Sequence, residues 1–408
     1  MRIYIENQGC TANKAYSEML SGILKSKHDI VNNVKDADLI IINSCALKTP
    51  TENAILREIK YVEKNYPKKK IQVIGCLPKA FPEHPKLKKF FNMQTPIDKK
   101  GVKLGFPRIR KNKLIGIVPV SEGCLNNCSF CAGKLAKGNL FSYPENQIID
   151  EIKNALKEGC KEIYITSQDM GCYGFDRRTN IIDLLKKVVS IERDFWIRIG
   201  MMNPNHVLKF LNELINIYKN KKIYKFLHIP VQSGSDRILK LMNRTYKVKD
   251  FEKIVKSFRK EIPDITISTD IIVGFPGETE KDFQKSFDLV EKIRPDVLNI
   301  TRYWPRKKTR GAELPNQLHS GDKKERSRKI TELFDKITVD SNKKWIGKET
   351  EVLINSKGKY RNQYKGRNIF YKPVVVKSKN NILGKKILVK IKDVSESSLI
   401  GDLELKEG

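Results

Sequence analysis

Short apolar runs alternate with amphipathic stretches along this chain, and the rhythm of that alternation divides it into three regions. In the first, β-rich runs at 3–6, 37–43 and 70–75 enclose helix-period segments at 14–24 and 52–63. Parallel strands need helical crossovers, so the pattern predicts a small Rossmann-like parallel α/β domain. From 114 to about 305, strand and helix alternate six times. Strands are expected at 114–120, 162–166, 195–200, 225–230, 265–273 and 297–303, and helices near 146–158, 181–189, 207–218, 235–242, 251–259 and 282–293. Six βα units with no clear seventh or eighth predict a parallel sheet curled into a partial (β/α)6 barrel, with every helix outside because crossovers are right-handed. Runs at 351–355, 372–377 and 386–392 switch to a two-residue period and predict about five strands of a small antiparallel β-barrel. The fold class is therefore α/β with domains at 1–105, 106–343 and 344–408.

Composition places these domains in an intracellular setting. A chain of 408 residues has room for two or three cores. Eight unevenly spaced cysteines are too few for a disulfide scaffold of this length. Residues 1–6 have a strand pattern rather than that of a signal peptide, and no apolar run approaches the roughly 20 residues of a membrane span. A cytoplasmic location and no membrane partner are expected.

Charge then narrows the partners. The formal net charge is +32, a field that concentrates polyanions at the surface; a general enrichment in lysine is the bland reading. Distribution favours nucleic acid: residues 345–392 hold 13 Lys or Arg against Glu349 and Glu351, interleaved with Tyr360, Tyr364, Phe370 and Tyr371. Phosphate neutralisation plus aromatic faces for unstacked bases is what a single-stranded RNA platform needs. Lys357, Lys359, Tyr360, Arg361, Lys365 and Arg367 are the candidate RNA contacts. A second basic stretch, 78–113, carries 11 Lys or Arg and five prolines; it reads as a solvated linker, or as a further backbone contact.

Cysteine spacing carries the chemistry. Cys124, Cys128 and Cys131 follow the first barrel strand as Cys-x3-Cys-x2-Cys, with His84 and His206 far away in sequence. Three thiolates without a local fourth ligand grip a cubane and leave one iron open, although zinc or redox sites also use such trios. Cys10, Cys45 and Cys76 each follow one of the three N-terminal strands, so all three fall at one edge of one parallel sheet. They could hold a second cluster; small buried apolar residues are the alternative. Cys160 and Cys172 belong to neither trio and read as packing residues, as does His228 in its strand.

With Phe130 just before its last cysteine, the Cys124 trio resembles the signature of radical S-adenosylmethionine (SAM) enzymes. Two trios and a basic terminal barrel that resembles a TRAM domain, OB-like in form, are similar together to the radical SAM methylthiotransferases. The likeness spans nearly the whole chain and is most specific in residues 7–13, 43–48, 123–131, 166–171, 227–236 and 269–279. The motifs at 43–50 and 200–204 look most like the archaeal and eukaryotic branch that acts on N6-threonylcarbamoyladenosine at tRNA position 37.

That resemblance implies two 4Fe-4S clusters, one on Cys124, Cys128 and Cys131 with SAM as fourth ligand, the other on Cys10, Cys45 and Cys76. Beyond the clusters it implies no catalytic side chain. Polar loops at the strand ends would hold SAM, through Phe130, Ser167, Gln168, Asp169, Asn203, Gln232 and Asp270. The implied reaction inserts sulfur at carbon 2 of the adenine and methylates it. Its partners would be the tRNA anticodon loop, a sulfur donor, and an electron donor such as a flavodoxin or ferredoxin. Related outcomes are a methylthiotransferase for N6-isopentenyladenosine or for a ribosomal protein side chain, and a non-enzymatic iron-sulfur RNA-binding sensor. The run Arg302 to Arg310 departs from the Pro-Gly-Thr-Pro-like pattern of that family, which concerns the conformation of this loop.

Overall fold

The computed structural model describes residues 1–403. Its N-terminal sheet is parallel throughout, with the strands Arg2–Asn7, Leu39–Ser44 and Lys70–Gly75 as expected and a short added strand, Asp29–Ile30, at one edge. Alternation in the apolar run 40–42 sends neighbouring side chains to opposite faces. Ile41 packs with Tyr16, Met19 and Leu20 of the helix Thr11–Lys25, while Ile40 and Ile42 pack with Ile55, Ile59 and Val62 of the helix Thr49–Asn65. The sheet is thus covered on both faces, and its functional edge is left at the strand ends.

The six central strands fall within one or two residues of the expected positions. Ile115–Pro119, Glu162–Thr166 and Trp196–Ile199 form one parallel group, and Phe226–His228, Thr266–Val273 and Val297–Arg302 the other. Backbone bonds from Ile197 N to Lys222 O (2.7 Å) and from Tyr224 N to Ile197 O (3.0 Å) carry the path from one group to the next. The helix expected over 207–218 is broken: Pro204 starts a turn at Pro204–Val207, and Phe210 leaves helical geometry before Leu211–Tyr218 resumes. A long helix, Ser320–Lys343, closes the domain; its sparse apolar positions, among them Ile330 and Ile337, join the barrel core.

The C-terminal barrel closes with five strands in the order 349–357, 363–368, 373–377, 399–403, 386–394. Four pairings are antiparallel, but Pro373–Lys377 and Leu399–Leu403 run parallel. Chain direction explains the exception: Lys386–Val394 pairs first with Glu349–Lys357, so the last strand returns in the same sense as Pro373–Lys377.

This barrel docks on the end of the central domain where the strands begin. Tyr371 packs among Tyr164, Tyr224 and Phe226, and the Arg198 guanidinium lies over three of these rings. Asn355 donates to Glu162 (2.7 Å) and Lys372 to Asp296 (2.7 Å). The basic stretch 78–113 is no solvated linker. Arg108 and Lys103 make buried ion pairs with Glu151 and Glu122, Arg110 pairs with Glu158, and Leu87 and Ile97 are fully buried. Distant carboxylates, invisible in local composition, turn this segment into a strap between the first two regions.

Candidate active site

Both cysteine trios lie where parallel strands end, the edge at which backbone donors and loops of such sheets collect. The strand Ile115–Pro119 delivers the first. Gly123 takes φ +74°, and a Cβ there would fall 1.9 Å from Asn139 O, so only glycine lets the loop turn before Cys124. The loop is then clamped from several elements. Gly123 N donates to Gln168 Oε1 (2.7 Å), Asn126 Nδ2 to Asp169 Oδ2 (2.8 Å), Ser129 N to Met242 O (3.0 Å) and Gly311 N to Ser129 O (2.7 Å).

The second trio is gathered by Asn13, one helical turn after Cys10. The Cys10 and Cys76 thiols both donate to Asn13 Oδ1, each at 3.7 Å, while Asn13 Nδ2 donates to Ser44 O (2.7 Å), next to Cys45. Cys10 sits at the start of the helix Thr11–Lys25, and Cys76 opens the short helix Cys76–Ala80.

The loops that carry the two trios are packed against each other. Ala132 and Ala136, just after Cys131, share a packed cluster with Cys76 and Leu77. A Cβ added to Gly133 would lie 3.1 Å from Cys131 Sγ and 3.6 Å from Leu47 Cδ2, and Leu47 is two residues after Cys45. Lys48 Nζ donates to Thr301 Oγ1 (2.9 Å), and Arg306 donates to Glu52 (2.7 Å) while lying over Phe81, so the first domain is held against the barrel mouth. Arg306 belongs to the unexpected run 302–310, which here serves as an interdomain tie.

Electrostatics differ among the thiols. Burial pushes Cys45 and Cys131 up to about 11 and raises Cys76 as well. Cys124 is pulled down to about 7, chiefly by a hydrogen bond from Cys172. Cys172 Sγ also lies 3.2 Å from Asp169 O, the alternative acceptor for its single proton, and the ligand atoms of Cys124, Asp169 and Cys172 lie within 4.8 Å of one another. Cys172 is therefore beside the site rather than remote packing, whereas Cys160 is buried and bonded to Lys113 O (3.4 Å).

The residues expected to bind SAM follow the ends of the central strands, except Asp270, which lies inside Thr266–Val273, and they differ in their engagement. Asp169 is buried and accepts from Gly171 N, Asn203 N and Asn126 Nδ2; burial raises its pKa and lowers that of neighbouring His206. Asp270 accepts from His228 Nε2 (3.1 Å) and Asn299 Nδ2 (2.6 Å). Burial is the largest single influence and opposes its ionised form, but His228, Asn299 and Lys48 together outweigh it and lower its pKa. Gln232 turns the chain with φ +72°, and Phe130 packs against the barrel core. Among the described residues, Ser167 Oγ, Asn203 Oδ1 and both ring nitrogens of His206 are buried without a hydrogen-bond partner. Orphaned polar atoms around a mouth are costly unless a polar ligand satisfies them, and the thiol sets are the soft donors that iron-sulfur clusters take. The residues present fit both groups. Glu278 does not join them: it is tied to Gly274 N (2.7 Å) and to Arg326 (2.6 Å).

Family models match three consecutive parts of the chain: the uncharacterized protein family UPF0004 at residues 2–94, the Radical SAM superfamily at 118–290 and the TRAM domain at 343–403. The "Probable threonylcarbamoyladenosine tRNA methylthiotransferase" of Archaeoglobus fulgidus is 41% identical and matches 100% of both chains. The threonylcarbamoyladenosine tRNA methylthiotransferase of Homo sapiens is 36% identical over 96% of this chain and 72% of its own length. The chain belongs to the threonylcarbamoyladenosine tRNA methylthiotransferase family. A radical SAM methyltransferase, TsrM, from Kitasatospora setae shares the fold, with a TM-score of 0.53 at 13% identity over 76% of this chain and 75% of that one.

For a tRNA methylthiotransferase, the candidate RNA contacts divide unevenly. Lys357, Lys359, Tyr360, Arg361 and Lys365 are exposed, with Tyr360 67% accessible at the tip of a hairpin. Arg367 instead stacks on Tyr371 at 4.0 Å and donates to Tyr371 O, within the interdomain contact. Among the residues that sequence reasoning missed are Asn13, Asn126, His206 and Arg244. Asn13 and Asn126 lie within three residues of a trio cysteine and were legible as neighbours; His206 and Arg244 reach the site from other loops.

Proposed function

We propose that this enzyme converts N6-threonylcarbamoyladenosine at tRNA position 37 to its 2-methylthio derivative. The observation that supports the reading is the packing of the two loops that carry three thiols each, through Gly133, Leu47, Ala132 and Ala136. In this reading residues 1–105 hold the auxiliary 4Fe-4S cluster on Cys10, Cys45 and Cys76. Residues 106–343 hold the radical SAM cluster on Cys124, Cys128 and Cys131, and residues 344–408 bind RNA. Bound there, SAM and the two clusters supply the one-electron, sulfur and methyl chemistry that a C–H bond without an acidic proton requires.

The chain's own residues bind and orient. Phe130, Ser167, Gln168, Asp169, Asn203, Gln232 and Asp270 would hold SAM, with the free Ser167 hydroxyl donating or accepting and the free Asn203 Oδ1 accepting, without disturbing the clamps. Leu47 and Leu125, apolar yet 44% and 47% exposed, flank the two trios and offer a dry rim to an extruded base. Extrusion from an anticodon loop costs only a few kcal/mol because the loop is already single-stranded.

The RNA barrel is fixed at the opposite end of the strands from the thiols. Five-residue strands at about 3.3 Å per residue make that height roughly 17 Å, so an RNA touching both ends must reach along the domain. Tyr360 at the hairpin tip is a stacking platform. Tyr360→Ala is expected to weaken tRNA binding roughly five- to hundredfold, from the ~1–3 kcal/mol of one base stack, as measured by fluorescence anisotropy at fixed salt. Unchanged affinity would remove the hairpin from the interface.

A flavodoxin- or ferredoxin-type protein would supply electrons and a separate donor the sulfur, and a cytoplasmic setting suits both. The relatives' names favour threonylcarbamoyladenosine over isopentenyladenosine or a ribosomal protein side chain. The test is methyl transfer from labelled SAM by reduced, reconstituted enzyme to matched tRNAs bearing either modified adenosine. Label is expected only in the threonylcarbamoyl tRNA; label in the isopentenyl tRNA alone would refute the assignment.

A further inference from the structure

Arg244 is a residue that neither the sequence motifs nor the SAM-binding loops account for, and it reaches the cysteine loop across 116 positions of sequence. Its guanidinium is anchored at three points. Nε donates to Tyr246 Oη (3.0 Å), Nη2 to Pro230 O (3.3 Å) and Nη1 to Cys128 Sγ (3.2 Å). Among the described residues no carboxylate lies within ion-pair distance of it; its charge is felt at the Cys128 thiol it touches and, from farther away, at Asp169. An arginine remains charged at any accessible pH, and its planar fork fixes the direction of each donor.

The backbone around it is equally fixed. Leu241 O and Met242 O accept from Ser129 Oγ (2.8 Å) and Ser129 N (3.0 Å), and Asn243, at φ +56°, donates from Nδ2 to Asn127 O (2.7 Å). The turn 241–244 therefore clasps the loop at Asn127 and Ser129, on either side of Cys128, while presenting one cation to one ligand sulfur.

We propose that Arg244 is a positioning residue that raises the reduction potential of the cluster held by Cys124, Cys128 and Cys131, through its hydrogen bond and charge at Cys128 Sγ. Reduction adds negative charge to the cluster and its thiolates. A cation and an N–H donor at a ligand sulfur stabilise that added charge, which is one of the levers by which proteins set iron-sulfur potentials. The inference rests on the assignment of this trio to a cluster.

The experiment is redox titration of the anaerobically reconstituted full chain, followed by electron paramagnetic resonance, with the radical SAM cluster identified as the signal that changes on adding SAM. Arg244→Gln is expected to load iron and to lower the reduced-to-oxidised ratio at a set potential about tenfold, which is about 59 mV for one electron. Asn243→Ala, which loosens the same clasp without removing charge, is expected to leave the potential unchanged. A loaded Arg244→Gln protein with the parent potential overturns the proposal. If Arg244→Gln does not retain iron, Arg244→Lys replaces it; its single anchor should still give a lower potential, and a value at or above the parent's is the overturning result. Absence of any SAM-responsive signal in the parent would instead overturn the cluster assignment itself.

Discussion

Cys128→Ala is expected to abolish both SAM cleavage and tRNA methylthiolation, and to halve the iron content from about eight to about four per chain. Cys76→Ala should also leave about four irons, yet retain SAM cleavage while losing methylthiolation. The contrast follows from position. Cys128 belongs to the loop at the mouth where the free Ser167 and Asn203 oxygens lie, whereas Cys76 opens the helix Cys76–Ala80 of the N-terminal domain. The measurements are iron and sulfide analysis beside chromatographic assay of 5′-deoxyadenosine and of the modified nucleoside. Equal loss of SAM cleavage in both variants would mean that the two trios do not work as separate centres.

Glu151→Ala is expected to destabilise the folded chain by about 3–5 kcal/mol, because it strands the buried Arg108 guanidinium. Arg108 Nε donates to Glu151 Oε1 at 2.5 Å with side-chain exposures of 1% and 6%, and Gly105 N donates to the other carboxylate oxygen at 2.9 Å. Replacing both partners, Arg108→Met with Glu151→Leu, should recover most of the loss because no unpaired charge is then buried. The check is the urea midpoint of the transition that includes this segment. A loss below about 1 kcal/mol for Glu151→Ala would restore the solvated-linker reading of 78–113.

What was legible in the sequence, and what was not, follows from the range of the interactions involved. Strands such as Glu162–Thr166 and helices such as Ile181–Val189 were placed within a residue because local periodicity decides them. The trios were legible for a related reason: Cys124, Cys128 and Cys131 are spaced within one loop, and Cys10, Cys45 and Cys76 each follow an apolar run. Pairings across the fold left no local trace. Arg244 with Cys128, Arg306 with Glu52 and Arg108 with Glu151 join positions 116, 254 and 43 apart. Arg367 beside aromatic residues reads the same whether the rings belong to RNA bases or to a neighbouring domain; here Tyr371 takes it. The helix Ser320–Lys343 escaped because its core face holds few apolar residues in a strongly charged segment.

On this reading the chain places a methylthio group on threonylcarbamoyladenosine in tRNA. The most direct test is nucleoside mass spectrometry of bulk tRNA from a host that makes threonylcarbamoyladenosine but lacks the methylthio derivative, expressing either the parent chain or Cys128→Ala. The 2-methylthio nucleoside is expected with the parent chain and not with the variant. Its absence in both, with the parent chain carrying its full iron, would contradict the account.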